Sequence, residues 1–143
     1  VSILVLAFVV GFIVFYTPKS VPNPSQESSL TPNTQQKWET KIDERANITV
    51  VVTPLDLSPQ SAEWKFDIGM NTHSVELDQD MTKVAVLVDD QGKEYKPLAW
   101  AGPTGGHHRE GTLTFARITP TPKSVELKIT GIADVVRSFV WQP

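Results

Sequence analysis

From residue 46 to the end of the chain, apolar side chains recur at every second position in a series of short runs. Successive side chains of a β-strand point to opposite faces of a sheet, so such runs are typical of half-buried strands. The pattern predicts about seven strands. The apolar members of these runs are Ile48, Val50, Val52, Trp64, Phe66, Ile68, Met70, Val84, Val86, Val88, Leu113, Phe115, Val125, Leu127, Ile129, Phe139 and Trp141.

Turn-forming residues separate the runs. Residues 89–92 (DDQG) predict a turn, and no segment after residue 46 has the apolar period of a helix. These features predict that residues 46–143 form an all-β domain. The favoured architecture is an immunoglobulin-like antiparallel β-sandwich. Pro97 predicts an edge strand or a bend, because proline has no N–H for a strand ladder. Trp64, Trp100 and Trp141 are expected in the core.

Residues 1–16 (VSILVLAFVVGFIVFY) are an uncharged apolar run. A helix that spans a bilayer needs about 20 apolar residues, within a range of about 17–25. We expect this segment to be an N-terminal transmembrane helix that anchors the chain. The alternative is the apolar part of a signal peptide, for which the following sequence FYTP is a poor cleavage site.

A linker is predicted between the anchor and the sandwich, over residues 17–45. Residues 17–36 are rich in Pro, Ser, Asn, Gln and Thr, a composition that favours a disordered tether. Residues 37–45 (KWETKIDER) fit either one or two helical turns or the start of the folded domain. The predicted organisation is therefore an anchor (1–16), a linker (17–45) and a β-sandwich domain (46–143).

Composition narrows the classes of function. The net charge is −3, and residues 46–143 hold nine Lys/Arg against twelve Asp/Glu. We expect no nucleic-acid partner, because this balance offers no basic face. The absence of cysteine excludes thiolate zinc sites, a cysteine nucleophile and a disulfide-dense fold.

The segment most suggestive of a site is 100–111 (WAGPTGGHHREG). It contains the candidate binding residues His107, His108, Arg109 and Glu110, and a second loop adds His73. Glycines permit tight turns, and loops carried by a rigid sandwich are common binding sites.

Three interpretations of this segment remain open, one of which is contact with another ligand or a protein. In the structural one, one histidine donates to a loop carbonyl, Arg109 pairs with a carboxylate and no cofactor is bound. In the alternative, His73, His107 and His108 bind a divalent transition metal such as zinc, copper(II) or nickel. Adjacent histidines on a strand point to opposite faces, so the two neighbours share an ion only in an irregular turn.

Three segments resemble an uncharacterised family of bacterial and archaeal membrane-anchored or secreted proteins. They are NTHSVELD (71–78), DDQGKEYKPLAW (89–100) and GGHHREGTLTF (105–115). The Gly-Gly-His-His-Arg loop is the most specific of them, and the likeness covers residues 46–143. The resemblance implies an extracytoplasmic β-sandwich and assigns it no activity.

The sequence thus predicts a membrane-anchored protein whose domain lies outside the cytoplasm and acts as a non-enzymatic binding or accessory module. Its expected partners are the membrane, through residues 1–16, and another protein. A non-enzymatic role is favoured because no nucleophile–base pair or pair of catalytic acids is visible. The alternative function is that of an extracytoplasmic metal-binding protein.

Overall fold

The structure is a computed structural model that describes residues 37–143. This part of the chain contains nine β-strands and one short helix. The strands are β1 (Lys41–Arg45), β2 (Ile48–Asp56), β3 (Glu63–Thr72), β4 (Ala85–Asp89), β5 (Glu94–Tyr95), β6 (Ala99–Ala101), β7 (His108–Ala116), β8 (Val125–Ile132) and β9 (Val135–Trp141), and the helix is α1 (Met81–Val84). The predicted transmembrane helix and residues 17–36 of the predicted linker lie outside the described residues.

The strands form two sheets. Sheet A has the order β1-β2-β3-β7-β6, and sheet B has the order β5-β4-β8-β9. Every pair of neighbouring strands is antiparallel. Apolar residues from both sheets join in one core. The described part of the chain is therefore an all-β protein of two antiparallel sheets, as the alternating pattern predicted.

The core is built from the apolar members of the alternating runs. Phe66 on β3 meets Phe115 on β7 edge to face, with ring centroids 5.7 Å apart, and lies 5.5 Å from the Trp141 ring on sheet B. Full burial of a large apolar side chain contributes about 1.5–3 kcal/mol. The buried apolar cluster is Trp38, Ile48, Val50, Val52, Leu57, Trp64, Phe66, Ile68, Met70, Leu77, Met81, Ala85, Leu87, Leu113, Phe115, Ile118, Val125, Leu127, Ile129, Ile132, Phe139 and Trp141.

In β4, the residues that face the core differ in part from the predicted Val84, Val86 and Val88. Ala85 and Leu87 belong to the buried apolar cluster, and Val86 is only half-buried. Val88 is buried as predicted. The short helix α1 ends at Val84, and the strand begins at the next residue. Because side-chain direction alternates along a strand, a displacement of one residue exchanges its two faces.

The folded domain begins before the predicted boundary at residue 46. Strand β1, which was predicted as linker, pairs with β2 at the edge of sheet A. Trp38 is buried, and Trp141 Nε1 donates to the Glu39 carbonyl at 2.7 Å. Of the two interpretations of residues 37–45, the start of the domain is correct. The linker prediction failed here because β1 (KIDER) is a short, charged edge strand with no apolar alternation.

An ion network joins the edge strand β1 to β9. Arg137 on β9 is fully buried and donates to the carbonyls of Ile132 and Arg45, each at 2.9 Å. Its Nε lies 3.2 Å from Asp43 Oδ1 on β1. Burial lowers the pKa of the Arg137 guanidinium, and the Asp43 carboxylate partly offsets this effect. Arg45 also binds Asp43 and donates to the Val136 carbonyl at 2.8 Å. The two sheets are therefore connected along this side by charged side chains.

Pro97 lies where the chain passes from sheet B to sheet A. The strand before it, β5, is the edge of sheet B, and the strand after it, β6, is the edge of sheet A. Leu98 N–H donates to the Thr114 carbonyl at 2.7 Å, which attaches the crossing segment to β7. The prediction of an edge or a bend at Pro97 is confirmed. This crossing brings Trp100 next to the start of β7, where the candidate site lies.

Candidate functional site

The guanidinium of Arg109, on β7, is the centre of the candidate site. Arg109 is only 1% exposed. Its Nε donates to the Pro103 carbonyl at 3.0 Å, and its Nη1 donates to the carbonyls of Leu77 and Gln79 at 2.9 and 3.0 Å. Hydrogen bonds from a charged donor are stronger than neutral ones. One arginine thus holds the loop after β3 and the loop before β7 against each other.

The structure corrects the expected partner of Arg109. A carboxylate was the expected partner, whereas its direct partners are backbone carbonyls. Burial lowers the pKa of the guanidinium, and the carboxylates of Asp78 and Asp80 partly offset this at longer range. Loop carbonyls that lie outside a strand ladder still need donors when they are buried. Arg109 supplies these donors, so its first role is in the fold.

Trp100 on β6 packs against Arg109. The guanidinium carbon lies 5.5 Å from the Trp100 ring centroid, and Trp100 Nε1 donates to the Pro103 carbonyl at 3.1 Å. The ring occupies space that two glycines leave open: a Cβ would lie 2.6 Å from it at Gly102 and 2.7 Å from it at Gly111. Trp100 is half-buried and packs against the edge of the core, where full burial was expected.

Glu76 holds the tip of the loop before β7. Its Oε1 accepts from Gly106 N–H at 2.5 Å, and its Oε2 lies 3.7 Å from His107 Nε2. The Gly106 carbonyl accepts from Leu77 N–H at 3.1 Å, and the His107 carbonyl accepts from Thr72 N–H at 2.9 Å. Gly106 has a φ of 112°, a conformation that favours glycine. The tip is therefore tied by backbone and side chain to the loop after β3.

His73 and His108 lie together at the surface. Their ring centroids are 6.1 Å apart in an edge-to-face arrangement, and both residues are exposed. His108 Nδ1 is 2.7 Å from Asn71 Oδ1. Because an amide oxygen can only accept, Nδ1 of His108 is the donor of this hydrogen bond. His108 is thus oriented by Asn71, and both rings are open to solvent.

The structure brings together two of the three histidines predicted as alternative metal ligands. His73 and His108 are neighbours, whereas His107 Nε2 faces Glu76. Strand β7 begins at His108, so His107 ends the loop and His108 belongs to the sheet. The sequence predicted that one histidine donates to a loop carbonyl. His108 instead donates to the side-chain amide oxygen of Asn71.

Glu110 is exposed on the outer face of sheet A. It pairs across the ladder with Gly69, which pairs with Val51, which pairs with Ile42 on β1. Ile42 is 61% exposed. Together with the neighbouring row that contains Asn71 and His108, these residues form what we call the outer A face. This face combines histidine, amide and carboxylate groups with exposed apolar surface.

Sequence reasoning missed several residues on which the site depends. Asn71 and Glu76 orient histidines, and Trp100 stacks on the arginine. Asn71 and Glu76 fall in the segment 71–78 that carries part of the family resemblance, so that segment was the available signal. Pro103 contributes its carbonyl oxygen, which every residue type has, and no side-chain signal identifies such a role.

Metal and membrane sites were both expected from the sequence. Within residues 37–143, no group of three or more His, Asp or Glu side chains is arranged to hold a metal ion. Over the same residues, no helix has the length and apolar character needed to cross a membrane. The predicted anchor, residues 1–16, lies outside this range.

Similarity to known proteins is weak. No protein-family model matches the chain, and no curated protein matches it. A DUF4426 family protein from Pseudomonas aeruginosa PAO1 is among the solved structures that align with it, with a TM-score of 0.41 and 7% sequence identity over 73% of this chain and 92% of that chain. Such values carry no functional assignment, so the residues of the chain itself carry the proposal below.

Proposed function

We propose that this chain is a membrane-tethered, non-enzymatic binding or accessory module built on an immunoglobulin-like sandwich. Strand order supports this finer class. An immunoglobulin constant-type domain has the order A-B-E-D in one sheet and C-F-G in the other. The orders β2-β3-β7-β6 and β4-β8-β9 match these when β2, β3 and β4 are A, B and C, and β6 to β9 are D to G. Strands β1 and β5 then extend the two sheets at their edges.

The proposed tether is the N-terminal part of the chain. Its support is the uninterrupted apolar run of residues 1–16 and the Pro- and Ser-rich composition of residues 17–36. The first strand begins at Lys41, close behind this segment. The family resemblance supports a domain outside the cytoplasm. A tether of this kind would keep the sandwich near a membrane surface while leaving its faces free for a partner.

The observation that carries the binding role is the buried guanidinium of Arg109. Burying a charge costs desolvation free energy, which the three carbonyl partners offset. The result is a pair of fixed loops that display the exposed side chains of His73, Glu76 and His107. Loops that are already ordered lose less conformational entropy when they bind. The buried hydrogen bonds of the guanidinium therefore support preorganisation of a binding surface.

Exposure of these side chains favours a partner-binding role over catalysis. Small-molecule sites are concave and bury most of the ligand. His73, His107 and His108 are instead all exposed. The outer A face adds the exposed apolar side chain of Ile42 beside polar groups, a combination that suits a protein interface. We therefore expect a protein partner to cover this face, and the net charge of −3 gives no attraction for nucleic acid.

Site-specific photocrosslinking in cells that produce the full chain tests this proposal. A photoreactive phenylalanine derivative at position 110 probes the outer A face, and the same group at position 128, on sheet B, is the matched control. We expect a crosslinked species of discrete mass from position 110 only. We also expect the chain to stay in the membrane pellet after carbonate extraction.

Each part of the proposal has its own contrary outcome. Release of the chain into the carbonate supernatant would contradict the proposed membrane tether. Identical crosslinking patterns from the two positions, or no adduct from position 110, would contradict the proposal that the outer A face contacts the partner.

A further inference from the structure

We propose that His73 and His108 together bind one divalent transition-metal ion, each through one imidazole nitrogen. This inference does not depend on the protein partner proposed above, and it differs from the three-histidine site considered from the sequence. Imidazole is a preferred ligand of copper(II), nickel and zinc. The bonds described for these two residues leave at least one nitrogen of His108 free, and its position relative to His73 is favourable for a shared ion.

The spacing of the two rings fits a common ion. A ligating imidazole nitrogen lies about 2.0–2.1 Å from zinc, which places two ring centroids on one ion about 4.5 Å apart at a ligand angle of about 90° and about 6.4 Å apart when the two nitrogens lie opposite each other. The observed separation of the His73 and His108 centroids is 6.1 Å. The two histidines would therefore bind as a nearly opposite pair. Both side chains are exposed, so small rotations about their side-chain torsions are open to them.

Asn71 holds the ring of His108 in the way that is typical of a metal ligand. A metal-binding histidine usually donates its second N–H to an acceptor, which fixes the tautomer and the ring orientation. His108 Nδ1 makes such a bond to Asn71 Oδ1 at 2.7 Å, so Nε2 is the nitrogen available to an ion. The cross-strand register places Asn71 directly opposite His108, so the sheet itself holds donor and acceptor together.

His107 is left out of the proposed ligand set because its ring faces Glu76. Its Nε2 lies 3.7 Å from Glu76 Oε2, and its carbonyl accepts from Thr72 N–H. Within the described residues no third acidic or histidine side chain completes the group. The remaining coordination positions would be filled by water, which suits the tetragonal N,O geometry of copper(II). Copper(II) also binds most tightly in the divalent series, so we expect it to bind more tightly than nickel or zinc.

Titration of the full chain in detergent with copper(II), nickel and zinc salts tests the inference. The variants are His73→Gln, His108→Gln and Asn71→Ala, with His107→Gln as the matched control. We expect one ion per chain in the wild type and in the control. Each of the first two variants should lose at least tenfold in affinity, and the asparagine variant should lose about 10–100-fold. Electron paramagnetic resonance of the copper complex should report two nitrogen ligands.

Three outcomes would overturn the inference. They are the absence of binding in the wild type, equal losses in His107→Gln and His73→Gln, and a wild-type copper spectrum with one nitrogen ligand. Circular dichroism identifies any variant that fails to fold, and the matching alanine variant then replaces it. Crosslinking at position 110 reports on the protein partner independently, so failure of the metal site and failure of the binding module are distinguishable.

Discussion

Two glycines on neighbouring strands illustrate how the surroundings of single residues define the site. Gly69 on β3 and Gly111 on β7 both lie within paired strands. A Cβ at Gly69 would lie 3.9 Å from its nearest neighbours, an ordinary contact distance. At Gly111, a Cβ would lie 2.6 Å from the Ala101 carbonyl oxygen and 2.7 Å from the Trp100 ring. Of these two glycines, Gly111 is therefore the one that the packing of Trp100 needs.

Alanine substitution at the two glycines should have opposite effects on stability. Gly111→Ala should lower the free energy of unfolding by about 1–3 kcal/mol, because the added methyl group overpacks the contact with Trp100. Gly69→Ala should leave it unchanged or raise it by about 0.4–1 kcal/mol, since alanine restricts the unfolded chain. Urea unfolding of the two variants measures both effects. Equal losses in the two would show that strand position, and not the tryptophan contact, governs the cost.

Strand β1 depends on ionic contacts more than on the apolar core. Its side chains are mostly charged, and sheet A continues from it on one side only. Asp43 accepts from Arg45 and lies against the buried guanidinium of Arg137 on β9. Breaking a buried ion pair by removing one partner leaves an uncompensated charge. The carboxylate of Asp43 should therefore determine how firmly this element is held.

Removal of that carboxylate should loosen β1. Asp43→Ala should cost about 3 kcal/mol in unfolding free energy, because Arg137 stays buried without its counter-charge. The control is Glu44→Ala on the same strand, whose exposed side chain should matter by no more than about 0.5 kcal/mol. Urea unfolding and amide hydrogen exchange in β1 provide the measurements. Slow exchange in β1 of the Asp43 variant would argue that the ladder alone holds the strand.

The folded domain is complete only when residues 37–45 are included. Trp38 belongs to the core, Trp141 donates to the Glu39 carbonyl, and β1 covers the edge of β2. A fragment that starts at residue 46 would lose all three. Its β2 would then carry an exposed edge of nine residues, a template for pairing with other chains.

Two fragments should therefore differ in stability and in association. Residues 37–143 should fold cooperatively without added metal, whereas residues 46–143 should be less stable by more than about 3 kcal/mol, since loss of a buried tryptophan alone costs about 3–5 kcal/mol. Trp38→Ala in the longer fragment isolates that part of the effect. Urea unfolding and light scattering are the measurements. Equal midpoints for the two fragments would mean that β1 and Trp38 add nothing to the fold.

The sequence by itself determined the features that depend on neighbours along the chain. Period-two alternation identified β2, β3 and β8 and the side chains that face the core, because the direction of a side chain alternates along any strand. The turn at residues 89–92 followed from local chemistry as well, since the Asp89 carboxylate accepts from the N–H groups of Gln91 and Lys93. The Gly-Gly-His-His-Arg segment also marked where the candidate site lies.

Only the tertiary structure decided which groups meet. Asn71 and His108 are 37 positions apart in sequence, and the register of β3 against β7 places them opposite each other. The contacts of Arg109 with its loop carbonyls likewise join distant parts of the chain. The charged segment β1 forms a strand because it pairs with β2 and contacts Arg137. Alternation sets the direction of a side chain, but its partners depend on the pairing of distant strands, which one strand's pattern does not encode.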